Sequence, residues 1–133
     1  MKLKTKVEFD AAHRLVGYSG KCSNLHGHIW TVEFEVEGEQ LDDIGMMWDF
    51  TNTKMIKDLF DHKTILKICK ENQDLVYAIT KTCGSESLYM MDENPTAENL
   101  AKHILKILKE KSPTFFFWIT VYESPKSYAE VVG

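Results

Sequence analysis

Three histidines carry the strongest chemical signal in the chain: His13, and the pair in His26-Gly27-His28. In an extended segment, residues two apart share a face. His26 and His28 then share parity with Trp30, Val32, Phe34 and Val36, while His13 shares parity with Leu3, Thr5, Val7, Phe9 and Ala11. If these segments are neighbouring strands, three imidazoles project into one apolar interior. Buried imidazoles without a carboxylate for each ring need another reason to be there. Zinc held by three neutral imidazoles, with a fourth position open for chemistry, is one such reason. The plainer alternative makes His13 a hydrogen-bonded core histidine and His26-Gly27-His28 a polar turn.

Other reactive residues lie around this trio in sequence. Cys22 precedes His26 by four residues, in a loop. It is either a fourth ligand closing a structural site or a thiolate beside the metal, acting as base or nucleophile. Cys69 and Cys83 have no histidine at ligand spacing and read as bystanders. Asp61-His62 offers an orienting carboxylate and an acid/base imidazole, although chain neighbours rarely hydrogen-bond each other and a solvated helix end fits as well. Glu123 ends an apolar strand face, where a carboxylate needs a partner. That partner is either a strand-end salt bridge or a planar two-donor edge, such as a guanidinium or a 2-aminopyrimidinone.

The elements that must position these groups are legible in part. Leu3–Phe9 and Trp30–Val36 alternate apolar with polar residues, which predicts two antiparallel strands with one buried face. After Asp49-Phe50-Thr51, the stripe Met55, Ile56, Leu59 and Phe60 predicts a helix, capped by Asp49 or Thr51. A second helix follows Pro95, with Thr96 as N-cap, a stripe of Leu100, Ile104, Ile107 and Leu108, and a stop at Ser112-Pro113. Between them, residues 74–81 suit a short helix and 88–91 a short strand. Phe115–Glu123 is apolar on both faces and predicts a strand covered on both sides, one of them by another subunit. The order implies an α+β fold, an antiparallel sheet with helices on one face.

Composition narrows the function classes. A length of 133 residues suits a single domain spanning 1–133. With 44% hydrophobic and 27% charged residues the chain has a globular balance. No apolar run approaches a membrane span, and Met1-Lys2-Leu3-Lys4 opens no secretory signal, so a cytoplasmic protein with reduced thiols is expected. A net charge of −4 argues against a general nucleic-acid binder but leaves room for a small anionic substrate in a local basic pocket.

Taken together, the motifs resemble the 6-pyruvoyltetrahydropterin synthase family, most closely its 6-carboxytetrahydropterin synthase branch. The matching blocks are Phe9-Asp10-Ala11-Ala12-His13, Gly20 to His28, Gly45 to Phe50, Asp61-His62-Lys63, Asn94 to Ala101 and Val121 to Ser124, in family order over nearly the whole chain. The resemblance implies the tunnelling fold, with subunits joined into a barrel, usually a homohexamer of two trimers with active sites between subunits. It implies zinc on His13, His26 and His28, Cys22 as catalytic base, and Asp61 and His62 as a second acid/base pair. Glu123 would anchor the pterin ring and Thr96 would sit in the same pocket. The expected activity is a zinc-dependent carbon-carbon lyase. It would convert 7,8-dihydroneopterin triphosphate to 6-carboxytetrahydropterin, acetaldehyde and triphosphate, on the route to queuosine. A pyruvoyl-forming synthase and a non-catalytic zinc-stabilised module are the alternatives. Lys21 and Arg14 are candidates for phosphate contacts, or else solvated loop charges. Two features depart from the family pattern and bear on the pocket: Ile65-Leu66 where a Leu-Asn pair is common, and a long stretch from Lys67 to Glu93.

Overall fold

The computed structural model describes all residues, 1–133. Strands β1 (Lys2–His13) and β2 (His26–Glu37) form a long antiparallel pair, as their alternation requires. Phe9, Ala11 and His13 of β1 and Trp30, Val32, Phe34 and Val36 of β2 are buried on one face, while Glu8, Asp10 and Glu37 are exposed. Strand β3 (Lys63–Lys67) follows helix α1 (Thr51–Phe60). Helix α2 (Gln73–Cys83) precedes β4 (Leu88–Met91), and helix α3 (Ala97–Lys111) precedes β5 (Phe116–Ser124) and β6 (Ser127–Val132). The sheet order is β4-β3-β1-β2-β5-β6.

Helices α1 and α3 close the core face. Asp49 accepts the Thr51 N–H at 2.8 Å and starts α1, whose Ile56 and Phe60 are fully buried. The Thr96 hydroxyl accepts the Asn99 N–H at 3.1 Å and starts α3, whose Leu100, Ile104 and Leu108 are fully buried. Each such side chain contributes ~1.5–3 kcal/mol relative to exposure. Helix α2 buries none of its residues, so apolar packing holds it far less firmly.

The structure extends the expected antiparallel sheet. Strands β1, β2, β5 and β6 pair antiparallel, but β3 pairs parallel with β1 and β4 parallel with β3. A further strand follows Phe115–Glu123, because Pro125 and Lys126 turn the chain back into β6. Ile65 and Leu66 are both fully buried in β3, so the departure at these positions is absorbed by packing. No helix is long and apolar enough to cross a membrane.

Candidate metal centre and active site

The register of β1 on β2 builds the histidine cluster. His13 lies directly opposite His26, and Ala11 opposite His28. Directly opposed residues bring their Cβ atoms to ~4.5–5.5 Å. Ala11 adds only a methyl group beside His28, leaving the space to the rings. Ring centroids are 4.6 Å apart for His13–His26, 5.1 Å for His13–His28 and 4.9 Å for His26–His28. Trp30, next inward on the same face of β2, stands edge-on to His13 at 5.0 Å and to His28 at 5.4 Å. Its indole N–H donates to the Ala11 carbonyl at 3.2 Å.

Backbone carbonyls fix the ring tautomers. His13 Nδ1 is 2.7 Å from the Pro95 carbonyl, and His26 Nδ1 is 2.7 Å from the Asn24 carbonyl. A carbonyl oxygen only accepts, so both Nδ1 atoms carry the proton and both Nε2 atoms present lone pairs. These lone pairs face each other across 3.1 Å. Two acceptors that close repel unless a proton or a cation lies between them. His28 Nε2 is buried without a hydrogen-bond partner. Glu123 Oε1 lies 3.1 Å from it and 3.6 Å from His13 Nε2, but not in hydrogen-bonding alignment. Burial pushes the pKa values of His13 and His28 down, more strongly than Glu123 pulls them up. Neutral imidazoles are the form that binds metal. The ligand atoms of His13, His26, His28 and Glu123 all lie within 4.8 Å of one another. The donor set therefore fits a metal ion held by imidazoles, and an ordinary core histidine at position 13 does not account for the opposed lone pairs.

Cys22 occupies a single turn of 3-10 helix, Lys21–Ser23, and is half-buried and free of any disulfide. It is not part of the converging group; the fourth donor beside the imidazoles is the Glu123 carboxylate. Arg14 is committed to this turn and to the segment before α2. Its Nε donates to the Ser23 carbonyl at 3.0 Å, and its Nη1 to Asn72 Oδ1 at 2.9 Å and the Glu71 carbonyl at 3.3 Å. That leaves exposed Lys21 as the freer of the two candidates for phosphate contact.

Asp61 and His62 lie against each other as a charge pair, with His62 Nδ1 3.0 Å from Asp61 Oδ1. The close approach of these neighbours has a local reason. His62 has φ 60, in the left-handed region that non-glycine residues seldom adopt, and this folds its ring back onto Asp61. The conformation is held by β1: the His62 N–H donates to the Asp10 carbonyl at 2.7 Å, and the Asp10 N–H to Asp61 Oδ1 at 3.1 Å. Burial opposes the Asp61 charge, but the Asp10 N–H and the His62 ring outweigh it and hold the carboxyl below its usual range. The His62 side chain is 77% exposed, open to a substrate. Asp10, Asp61 and His62 form a second cluster, separate from the three histidines. An open groove of about 730 Å³ touches both clusters, with His28, Asp10 and His62 on its walls and Ile79 and Cys83 of α2 beside them.

Thr96 is half-buried, and its hydroxyl is engaged as the α3 cap. The turn before it supports the metal centre. Asn94 exchanges two hydrogen bonds with the backbone of Val16, both 2.9 Å, and Asn99 Nδ2 donates to the Asn94 carbonyl at 2.9 Å. This clamps the Pro95 carbonyl against His13. Sequence reasoning did not find Asn24 and Pro95, because a backbone carbonyl has no side-chain signature. Trp30 was visible only as a core residue, and Asn94 only as the first residue of a block matching the family.

Comparison with known proteins agrees with this geometry. The family described as 6-pyruvoyl tetrahydropterin synthase matches residues 2–133. The 6-carboxy-5,6,7,8-tetrahydropterin synthase of Rickettsia felis is 34% identical, over 98% of this chain and 99% of that protein. That of Haemophilus influenzae is 29% identical, over 97% and 96%. Among solved structures, the 6-pyruvoyl tetrahydropterin synthase of Plasmodium falciparum has a TM-score of 0.67 at 23% identity, covering 99% of this chain and 98% of that one. The Caenorhabditis elegans enzyme has a TM-score of 0.67 at 24% identity, covering 100% and 95%. The curled sheet with its covering helices is thus the tunnelling fold. A full-length match of this kind, on a sheet that gathers His13, His26 and His28, places the chain in the 6-pyruvoyl tetrahydropterin synthase family.

Proposed function

We propose that the protein is a zinc-dependent 6-carboxytetrahydropterin synthase, a carbon-carbon lyase of the queuosine pathway. The observation that carries this reading is the convergence of three imidazoles whose Nε2 atoms have no hydrogen-bond donor among them, in a chain whose relatives bear that name at about one-third identity. The substrate is 7,8-dihydroneopterin triphosphate, and the products are 6-carboxytetrahydropterin, acetaldehyde and triphosphate, with one water taken up. His13, His26 and His28 hold the zinc. When bound, it supplies Lewis acidity toward the oxygens of the substrate side chain. Cys22, outside the ligand set, moves a proton from the side chain, and His62, oriented by Asp61, returns one. Glu123 reaches the cluster from the end of β5, where it can accept both donors of the pterin edge while the side chain lies toward the metal. Thr96 lines the same pocket. The sites are completed between subunits of a homohexamer built as a dimer of trimers, as in the family the chain belongs to.

Incubation with 7,8-dihydroneopterin triphosphate, followed by mass analysis of the products, tests the assignment. Acetaldehyde and 6-carboxytetrahydropterin support it. Triphosphate release without acetaldehyde would make the protein a pyruvoyl-forming synthase. No turnover, with unfolding on chelation and a Cys22 protected from alkylation by bound metal, would make it a zinc-stabilised module.

A further inference from the structure

Asn72 is fully buried, although the segment around it packs little apolar surface. Its Nδ2 donates to the Lys67 carbonyl at 2.8 Å, and its Oδ1 accepts Arg14 Nη1 at 2.9 Å. Arg14 in turn donates through Nε to the Ser23 carbonyl at 3.0 Å, and the neighbouring Leu15 N–H donates to the Cys22 carbonyl at 2.9 Å. The Cys22 turn is thereby held from two sides, by the backbone of Leu15 and by the guanidinium of Arg14. A guanidinium presents its donors in a fixed planar fork, so the acceptor on one side sets the direction of the other. We propose that Asn72 is a positioning residue for Cys22, acting through Arg14. The long segment after β3 thus sets the geometry of the reacting thiol. The inference rests on Cys22 being the catalytic base.

Asn72→Leu removes the acceptor at similar volume, and Asn72→Asp keeps an acceptor for Arg14 while giving up the donor to the Lys67 carbonyl. With 7,8-dihydroneopterin triphosphate, Asn72→Leu is expected to lower kcat by ~10–100-fold with KM little changed, the scale of a misplaced reacting group. The pH profile of Cys22 alkylation by iodoacetamide, followed on its own peptide by mass spectrometry, is expected to shift. Zinc content should hold. Asn72→Asp should recover both the rate and the profile. If Asn72→Leu does not fold, Arg14→Lys replaces the fork with a single point donor and should give the same loss and shift. Wild-type kcat and alkylation profile in Asn72→Leu, or in a folded Arg14→Lys, would overturn the proposal. Full turnover by Cys22→Ala would instead remove the catalytic reading, while the alkylation profiles would still report whether Asn72 places the thiol.

Discussion

Each imidazole in the cluster has one nitrogen already spent or no partner at all, which makes the site sensitive to single substitutions. His26 donates its Nδ1 proton to Asn24 and turns its lone pair on His13, so His26→Ala removes one of three nitrogens that converge. That variant should purify largely free of zinc, while the wild type carries about one zinc per chain; full occupancy in the variant, measured by elemental analysis, would reject the ligand assignment. Cys22 lies outside the group, so Cys22→Ala should keep its zinc and lose ~10²–10⁴ in turnover, the usual cost of removing an acid/base group. Loss of zinc together with activity would return Cys22 to the ligand set. Acid should act on the same rings. His13 and His28 have pKa values below 6.5 in the folded chain, chiefly through burial, so the unfolded chain binds protons first as pH falls. Their contribution to the stability of the metal-stripped protein is therefore complete above pH 6.5 and is lost as pH drops below it through the folded values. Urea unfolding of chelated protein between pH 8 and 5 should show a midpoint that falls on the acid side; a flat profile would mean that these rings take up protons as readily in the folded chain as in the unfolded one.

At the scale of elements, the site depends on a turn that contributes no ligand side chain. The Asn94 amide is bonded both ways to Val16, and the Pro95 carbonyl it places orients His13. Removing an outer partner of a metal-binding histidine commonly costs 10–100-fold in metal affinity. Asn94→Ala should therefore weaken zinc by ~10–100-fold in a chelator competition while leaving the three histidines in place; unchanged affinity would show that Pro95 is held by its ring and by α3 alone. The same contrast explains what the sequence could reveal. Strands β1 and β2 each bury one face and expose the other, so alternation declares them, and counting in twos brings His13, His26 and His28 to one face. Helix α3 announced itself through Thr96, its apolar stripe and Ser112-Pro113. Strand β3 was silent, because Ile65 and Leu66 are buried on opposite faces and five residues leave no room for a period. Strand β6 was silent because Ala129 and Val131 make a weak inward face next to exposed Tyr128 and Glu130. The left-handed backbone of His62 was equally hidden, since nothing in Asp61-His62 distinguishes it from a frayed helix end.

At the scale of the whole molecule, one chain leaves the outer side of β5 and the edge strand β6 partly uncovered. On the outer side of β5, Phe116 is 44% exposed and stacks edge-on with half-buried Trp118 at 4.7 Å, while Lys2 Nζ lies 3.9 Å from the Trp118 ring. Tyr122 meets Tyr128 at 4.9 Å, and Tyr128 and Val132 of the edge strand β6 are 61% and 51% exposed. An edge strand presents unpaired backbone donors and acceptors, and a neighbouring aromatic patch adds apolar area; together they suit strand-to-strand joining of subunits. Charge is depleted from the centres of such interfaces because its desolvation is not repaid. Phe116→Glu places a carboxylate there without touching the buried core, so the chain should fold with unchanged zinc content. Light scattering should then report hexamers for the wild type and smaller species for the variant. Turnover should fall with the hexamer fraction, because the proposed sites are completed between subunits. A monomeric variant with full activity would show that one chain holds a complete site. A variant that stays hexameric would move the subunit contact away from the outer face of β5.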